Sequence, residues 1–187
     1  FGPSYAEPVP AKPSMKFLNM LGEIRQQGAN LNSVGEMVGR WEKLKVNIDS
    51  GANVPVMAPT TGKLYQVKES EGSKNGTVYQ AANGGTLPNL GQKFLPVVTK
   101  EGTLRGYQSQ VADVTATLQS VNHLNASGHG VWLDGGESWM VNKATGEVNQ
   151  IDHDGKNFTM DMWIVPPEEL ALVVNSVNEQ GFIGHHP

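Results

Sequence analysis

Between Trp41 and Asp49 the chain alternates, with Leu44, Val46 and Ile48 on one side and Lys43, Lys45 and Asn47 on the other. A period of two predicts a half-buried strand. Directly behind it come Ser50, Gly51 and Ala52, then a second short apolar run at Val54, Val56 and Met57. Residues 60–76 are polar and rich in Gly, Lys and Glu, which predicts a long surface excursion. The stretch "GTVYQAANGGTLPNLGQKFLPVVTKEG" that follows predicts strand, glycine-rich hairpin tip, strand, turn and strand. "RGYQSQVADV" alternates again. Leu118, Val121 and Leu124 fall at helical spacing and are closed by Gly128, predicting a short helix. Residues 131–165 predict a meander with turns at 134–136, 144–146 and 154–155.

The two ends follow a different pattern. Residues 1–14 carry four prolines and little apolar mass, as expected of an extended arm. Phe17, Leu18, Leu21 and Ile24 then sit at helical spacing, with Ser14 as N-cap and Gly28 as stop, and a shorter set follows at Leu31, Val34, Met37 and Val38. At the other end Pro166 and Pro167 open a helix with Glu168 and Glu169 in its first turn. Leu170, Val173, Val174 and Val177 give it an apolar stripe. The expected organisation is an arm with helices over 1–40, a β domain over 41–165, and a C-terminal helix and tail over 166–187. Tyr5, Phe17, Leu21, Val173 and Val177 are the apolar positions with which the arms would dock on a partner.

Composition narrows the function classes. At 187 residues the chain suits one domain with arms, and its 22 Gly and 11 Pro favour short strands and turns over a helical bundle. A net charge of −4 without a Lys/Arg run excludes a nucleic-acid footprint. The absence of cysteine excludes disulfides and thiolate metal sites, and leaves the compartment open. No window approaches 18 consecutive apolar residues, so no transmembrane segment is expected, and the chain reads as soluble or peripheral. It begins at Phe1, which raises the expectation of a processed product or a segment of a longer precursor, with any targeting segment removed.

Asp49 is the first candidate for chemistry. A carboxylate on a tight loop after a strand, followed by a small hydroxyl residue and a glycine, can be approached closely by backbone N–H groups. The same Asp-Ser-Gly is also what an ordinary turn uses. The segment "VNIDSGANVPVM" resembles the catalytic segment of retropepsin-type aspartic proteases, particularly those of copia-type retroelement polyproteins. Three further stretches are similar in the same order. They are "YQAANGG" as the flap hairpin, "VADVTATLQSVNHLNASGHGVWL" as strand, Leu-x-Ser-Val helix and strand, and "GGESWMVNKATGEVNQIDHDGKNFTMDMWI" as the following meander.

The resemblance spans roughly residues 41–165 and implies a mainly β, retropepsin-like closed acid-protease barrel with a short helix and flanking N- and C-terminal helices. It implies Asp49 as catalytic carboxylate, with Ser50 and Gly51 shaping its loop. Ala52 would border the cleft, and Ala82, Asn83, Gly84 and Gly85 would close over substrate from the hairpin tip. With one such motif per chain, activity requires a homodimer; "VWLDGG" at 131–136 lacks the hydroxyl residue of a second motif. Gln119 departs from the leucine pair of the family segment and would put an amide near the floor of the site. The alternative is therefore a non-catalytic accessory or scaffolding subunit that reuses a retroelement-derived protease fold.

The remaining candidates carry structural readings. His123, His129, His153, His185 and His186 have no metal-ligand spacing and read as solvated turn or tail residues, so neither metal nor cofactor is expected. Residues 152–161 lack the closing Glu of a calcium loop and read as a hairpin turn. Trp41, Trp132, Trp139 and Trp163 read as core or cross-strand packing.

Overall fold

The alternating segment from 42 to 49 is strand β1 (Glu42–Asp49), and its apolar side is the wall of the core. Leu44, Val46 and Ile48 are buried while Lys43 and Lys45 are exposed. The computed structural model describes residues 40–81 and 83–174. After β1 come β2 (Val56–Met57), α1 (Glu71–Lys74), β3 (Val78–Gln80), β4 (Thr86–Pro88), β5 (Gly91–Thr99) and β6 (Leu104–Val111). They are followed by β7 (Thr117–Ser120), α2 (Val121–Ala126), β8 (His129–Trp132), β9 (Ser138–Asn142), β10 (Val148–His153) and β11 (Phe158–Ile164). A 3-10 turn, Pro167–Glu169, then leads into helical residues 170–174. The expected helices before residue 40, and the part of the C-terminal helix beyond 174, lie outside the described residues.

Six strands close on themselves in the order β1-β7-β2-β6-β5-β11, with β11 returning to β1. The barrel is thus mainly antiparallel but carries two parallel pairs, β1 with β7 and β2 with β6. β10, β9 and β8 extend the sheet from β11 as a meander, and β3 and β4 form a separate two-stranded hairpin. Closure gives each of those six strands a neighbour on both sides, and β8 ends the meander as an edge strand.

The inner wall is apolar. Val46, Met57, Leu95, Val97 and Val111 have no exposure, and they pack with Tyr107, Met140, Ile151, Met160 and Met162. A second cluster joins Trp41, Val98, Trp163, Val165 and Val173. Val173 is therefore packed inside its own chain, which corrects the expectation that it offers surface to a partner. Pro166 and Pro167 start the helix as its sequence requires, and Trp41 Nε1 donates to Glu169 across it at 2.7 Å.

Two further expectations change. Leu118 belongs to β7, not to the short helix. The chain stays extended through Ser120, whose Oγ caps α2 by accepting from His123 N. The segment 60–76 is more structured than a free excursion. Lys68 bridges to Gln92, and Ser70 and Ser73 form a capping box on α1. Trp132 is 55% exposed but stacks on Trp139 with ring centroids 5.6 Å apart, a cross-strand pair on the meander.

Candidate functional site

Asp49 is the last residue of β1 and lies beside Ser120, the last residue of its parallel neighbour β7. Parallel strands that run side by side end at the same place, so the loop after Asp49 and the start of α2 emerge together. Asp49 is half-buried and Ser50 and Gly51 are exposed. Asp49 Oδ1 accepts a hydrogen bond from Gly51 N at 2.7 Å, which folds the loop back on the carboxylate. A Cβ on residue 51 would lie 3.3 Å from that same oxygen, so glycine gives the backbone its close approach. Ala52 is half-buried, and behind it Pro55 and Val56 turn inward. Pro55 O accepts from Gln110 N at 3.0 Å, which returns the loop to the barrel wall.

The hairpin β3–β4 is built as its sequence directs. Tyr79 pairs with Leu87 and Gln80 with Thr86. At the tip Ala81 N donates to Gly85 O, and Gly84 adopts φ of +82°, a left-handed conformation glycine tolerates without strain. Asn83 Oδ1 accepts from Gly85 N at 3.0 Å. Asn83, Gly84 and Gly85 are exposed; Ala82 lies outside the described residues.

The hairpin is tied to the barrel through Asn89. Its Nδ2 donates to Tyr79 Oη at 2.6 Å and to Gln110 Oε1 at 2.9 Å, and its Oδ1 accepts from Gly91 N at 2.7 Å. Burial raises the Tyr79 phenol pKa above its ordinary value.

Asp49, Ser50, Gly51 and Ala52 thus form one turn, and Asn83, Gly84 and Gly85 form another on a different sheet. A groove of about 540 Å3 lies at the base of the hairpin and includes no residue of either turn. It is lined by Val54 of the Asp49 loop, by Tyr79, Asn89 and Gln110 at the base of the hairpin, and by residues 69–72 and Lys74 around α1. Gln119 pairs with Ile48 and is buried, and its Nε2 donates to Ser120 O at 3.3 Å.

Two functional candidates escape a sequence reading. His129 opens β8 with its Nδ1 buried, not solvated in a turn as its position after Gly128 suggests. The charge of Arg105 on β6 acts on it, and Arg105 Nη2 donates to Asn149 Oδ1 at 2.9 Å. No local pattern marks either residue, because strands distant in sequence bring them together. His123 and His153 are exposed as expected, the latter stacked on Phe158. Comparison of the chain with protein-family models, curated proteins and solved structures returns no match.

Proposed function

We propose that the chain is a retropepsin-like aspartic endopeptidase acting as a homodimer, each protomer contributing one Asp49. The observation that carries this reading is the turn itself. A half-buried carboxylate ends a barrel strand, with one oxygen held by Gly51 N–H at 2.7 Å and the loop beside it open to solvent. Across a two-fold axis two such carboxylates share one proton, because like charges that close cannot both ionise. The ionised member then takes a proton from a water molecule while the protonated member gives one to the carbonyl oxygen of the peptide. The chemistry uses no cofactor. In this reading the hairpin that carries Asn83, Gly84 and Gly85 closes over the peptide, and the groove at its base receives part of it.

The test combines light scattering with cleavage of a mixed peptide library between pH 4 and 7. A dimer is expected, and Asp49→Asn is expected to lower the rate by about 10²–10⁴-fold, the usual contribution of a positioned acid–base group. A monomer that cleaves nothing overturns the reading. One observation favours the second reading in that case, an accessory or scaffolding subunit that keeps the fold. Gln119, buried and paired with Ile48, stands where the resemblance calls for a leucine.

A further inference from the structure

The meander ends in β8, which pairs with β9 on one side and with no described strand on the other. On β9 the amide of Asn142 donates to Glu147 O, toward β10, while that of Lys143 donates to Gly128 O at 3.0 Å, toward β8. Backbone groups of a strand point to alternate sides. The pairs Gly130–Val141 and Trp132–Trp139 are therefore the hydrogen-bonded ones. The N–H and C=O of His129 and Val131 face the open edge, where they meet no partner among the described residues. Such an edge is a template for another extended chain.

Side chains at the end of the edge define what that chain must carry. Trp132 stacks on Trp139 with centroids 5.6 Å apart, yet it is 55% exposed, so one face of its ring is open. Asp134 and Glu137, both exposed, lie two residues beyond Trp132 and two before Trp139 in the turn that joins them. Ser138 Oγ pins this turn, accepting from Asp134 N at 2.8 Å and donating to Asp134 O at 2.6 Å. Neither carboxylate has an ion pair or a hydrogen bond among the described residues, whereas Asp161, Asp152 and Glu147 are matched by Lys43, Lys100 and Arg105. Lys143 runs beside Gly130, its Cε 3.7 Å from a Cβ placed there, on the side of Trp132 away from the turn. The turn side is left open. An uncovered indole face next to two unmatched carboxylates is complementary to a cation. A second copy of β8 and its turn does not supply one, because residues 129–137 contain no Lys or Arg and bring two more carboxylates.

We infer that the β8 edge takes up an extended basic segment of another protein, its backbone pairing with His129 and Val131 and an Arg or Lys side chain resting on Trp132 beside Asp134 and Glu137. The site lies on the last strand of the sheet and is independent of the Asp49 reading.

The probe is the blocked pentapeptide acetyl-Thr-Val-Arg-Val-Thr-amide, with Glu in place of Arg as its counterpart, added to the 15N-labelled full chain. NMR shifts are expected at the His129 and Val131 amides and at the Trp132 indole. The Glu peptide is expected to bind at least about tenfold more weakly. Trp132→Thr, a change at an exposed strand position, is expected to weaken the Arg peptide about fivefold. Methylating the two valine nitrogens of the peptide, whose N–H groups would face β8, is expected to abolish binding. No shift at millimolar Arg peptide, equal affinity for the Arg and Glu peptides, or full affinity of the methylated one would each overturn the inference. So would shifts confined to the Asp49 turn and the β3–β4 hairpin, or an unaltered affinity in the folded Trp132→Thr chain. Protection of the His129 and Val131 amides from exchange in the peptide-free chain would overturn it as well, since a second copy or the chain's own residues would then already cover the edge.

Discussion

Asn89 is 8% exposed and spends its side-chain amide on three elements at once, the hairpin through Tyr79, the barrel through Gln110 and its own turn through Gly91. Its environment admits no bulk, since a Cβ on residue 72 would lie 2.3 Å from Asn89 Nδ2. Asn89→Ala is expected to cost about 1–3 kcal/mol in urea unfolding, because Gly91 N and Gln110 Oε1 are left unmatched in a buried place. Hydrogen exchange should speed up in the hairpin before it does in the barrel.

His129 makes the second prediction. Burial first, and the Arg105 charge next, lower its pKa below the ordinary 6.5, outweighing the carbonyls of Leu124 and Ser127 and the charge of Glu147, which favour the charged ring. The unfolded chain then binds more protons than the folded one just below pH 6.5, so stability falls as pH drops from that value toward the folded pKa. His129→Gln should flatten this loss in thermal unfolding between pH 7 and 5; an equal slope in both chains would refute it. Asp49 and its turn were legible because loop chemistry is written in neighbouring residues. His129 was not, since the Arg105 charge that acts on it comes from another strand.

The loop from 58 to 63 shows how one side chain can order a segment that lacks regular structure. Lys93 is 3% exposed, and its Nζ donates to Pro59 O at 2.8 Å and Thr61 O at 2.6 Å. From the other side Glu42 accepts from Gly62 N and Lys63 N. Burial lowers the lysine pKa, and Glu42 partly restores it. Lys93→Met removes the desolvation of the charge but strands two carbonyls, and the second effect is the larger where donors are this short. A net loss of about 1–3 kcal/mol is expected, with faster proteolysis near Lys63.

Strand periodicity made β1 and β6 readable at this level, and turn residues marked the meander. The boundary between β7 and α2 was not readable, because Leu118 fits a helical stripe as well as a strand. It is decided by the pairing of Leu118 with Asn47 and Val56. The start of the polar stretch at 60–76 was likewise opaque, because what orders residues 59–63 is a lysine and a glutamate from two distant strands.

The barrel is held by pairings between its beginning and its end. Val46 pairs with Thr117 on one side and Met160 on the other, and β5 meets β11 at Val97 and Ile164. A closed barrel class and its strand order follow from these contacts, while the alternation of single strands gives only the β class. Such long-range pairing predicts refolding on the millisecond-to-second scale typical of β topologies with distant partners. Stopped-flow Trp fluorescence would test this, and refolding within microseconds would contradict it. Removing residues 158–187 takes away β11, and the truncated chain is expected to stay unfolded by circular dichroism.

The same pairing has a consequence during synthesis. β1 leaves the ribosome early, yet its two neighbours are made much later, so the nascent chain carries a strand with both edges open. Lys43 and Lys45 are exposed on its outer side, and charges so placed on an open strand disfavour pairing with another copy.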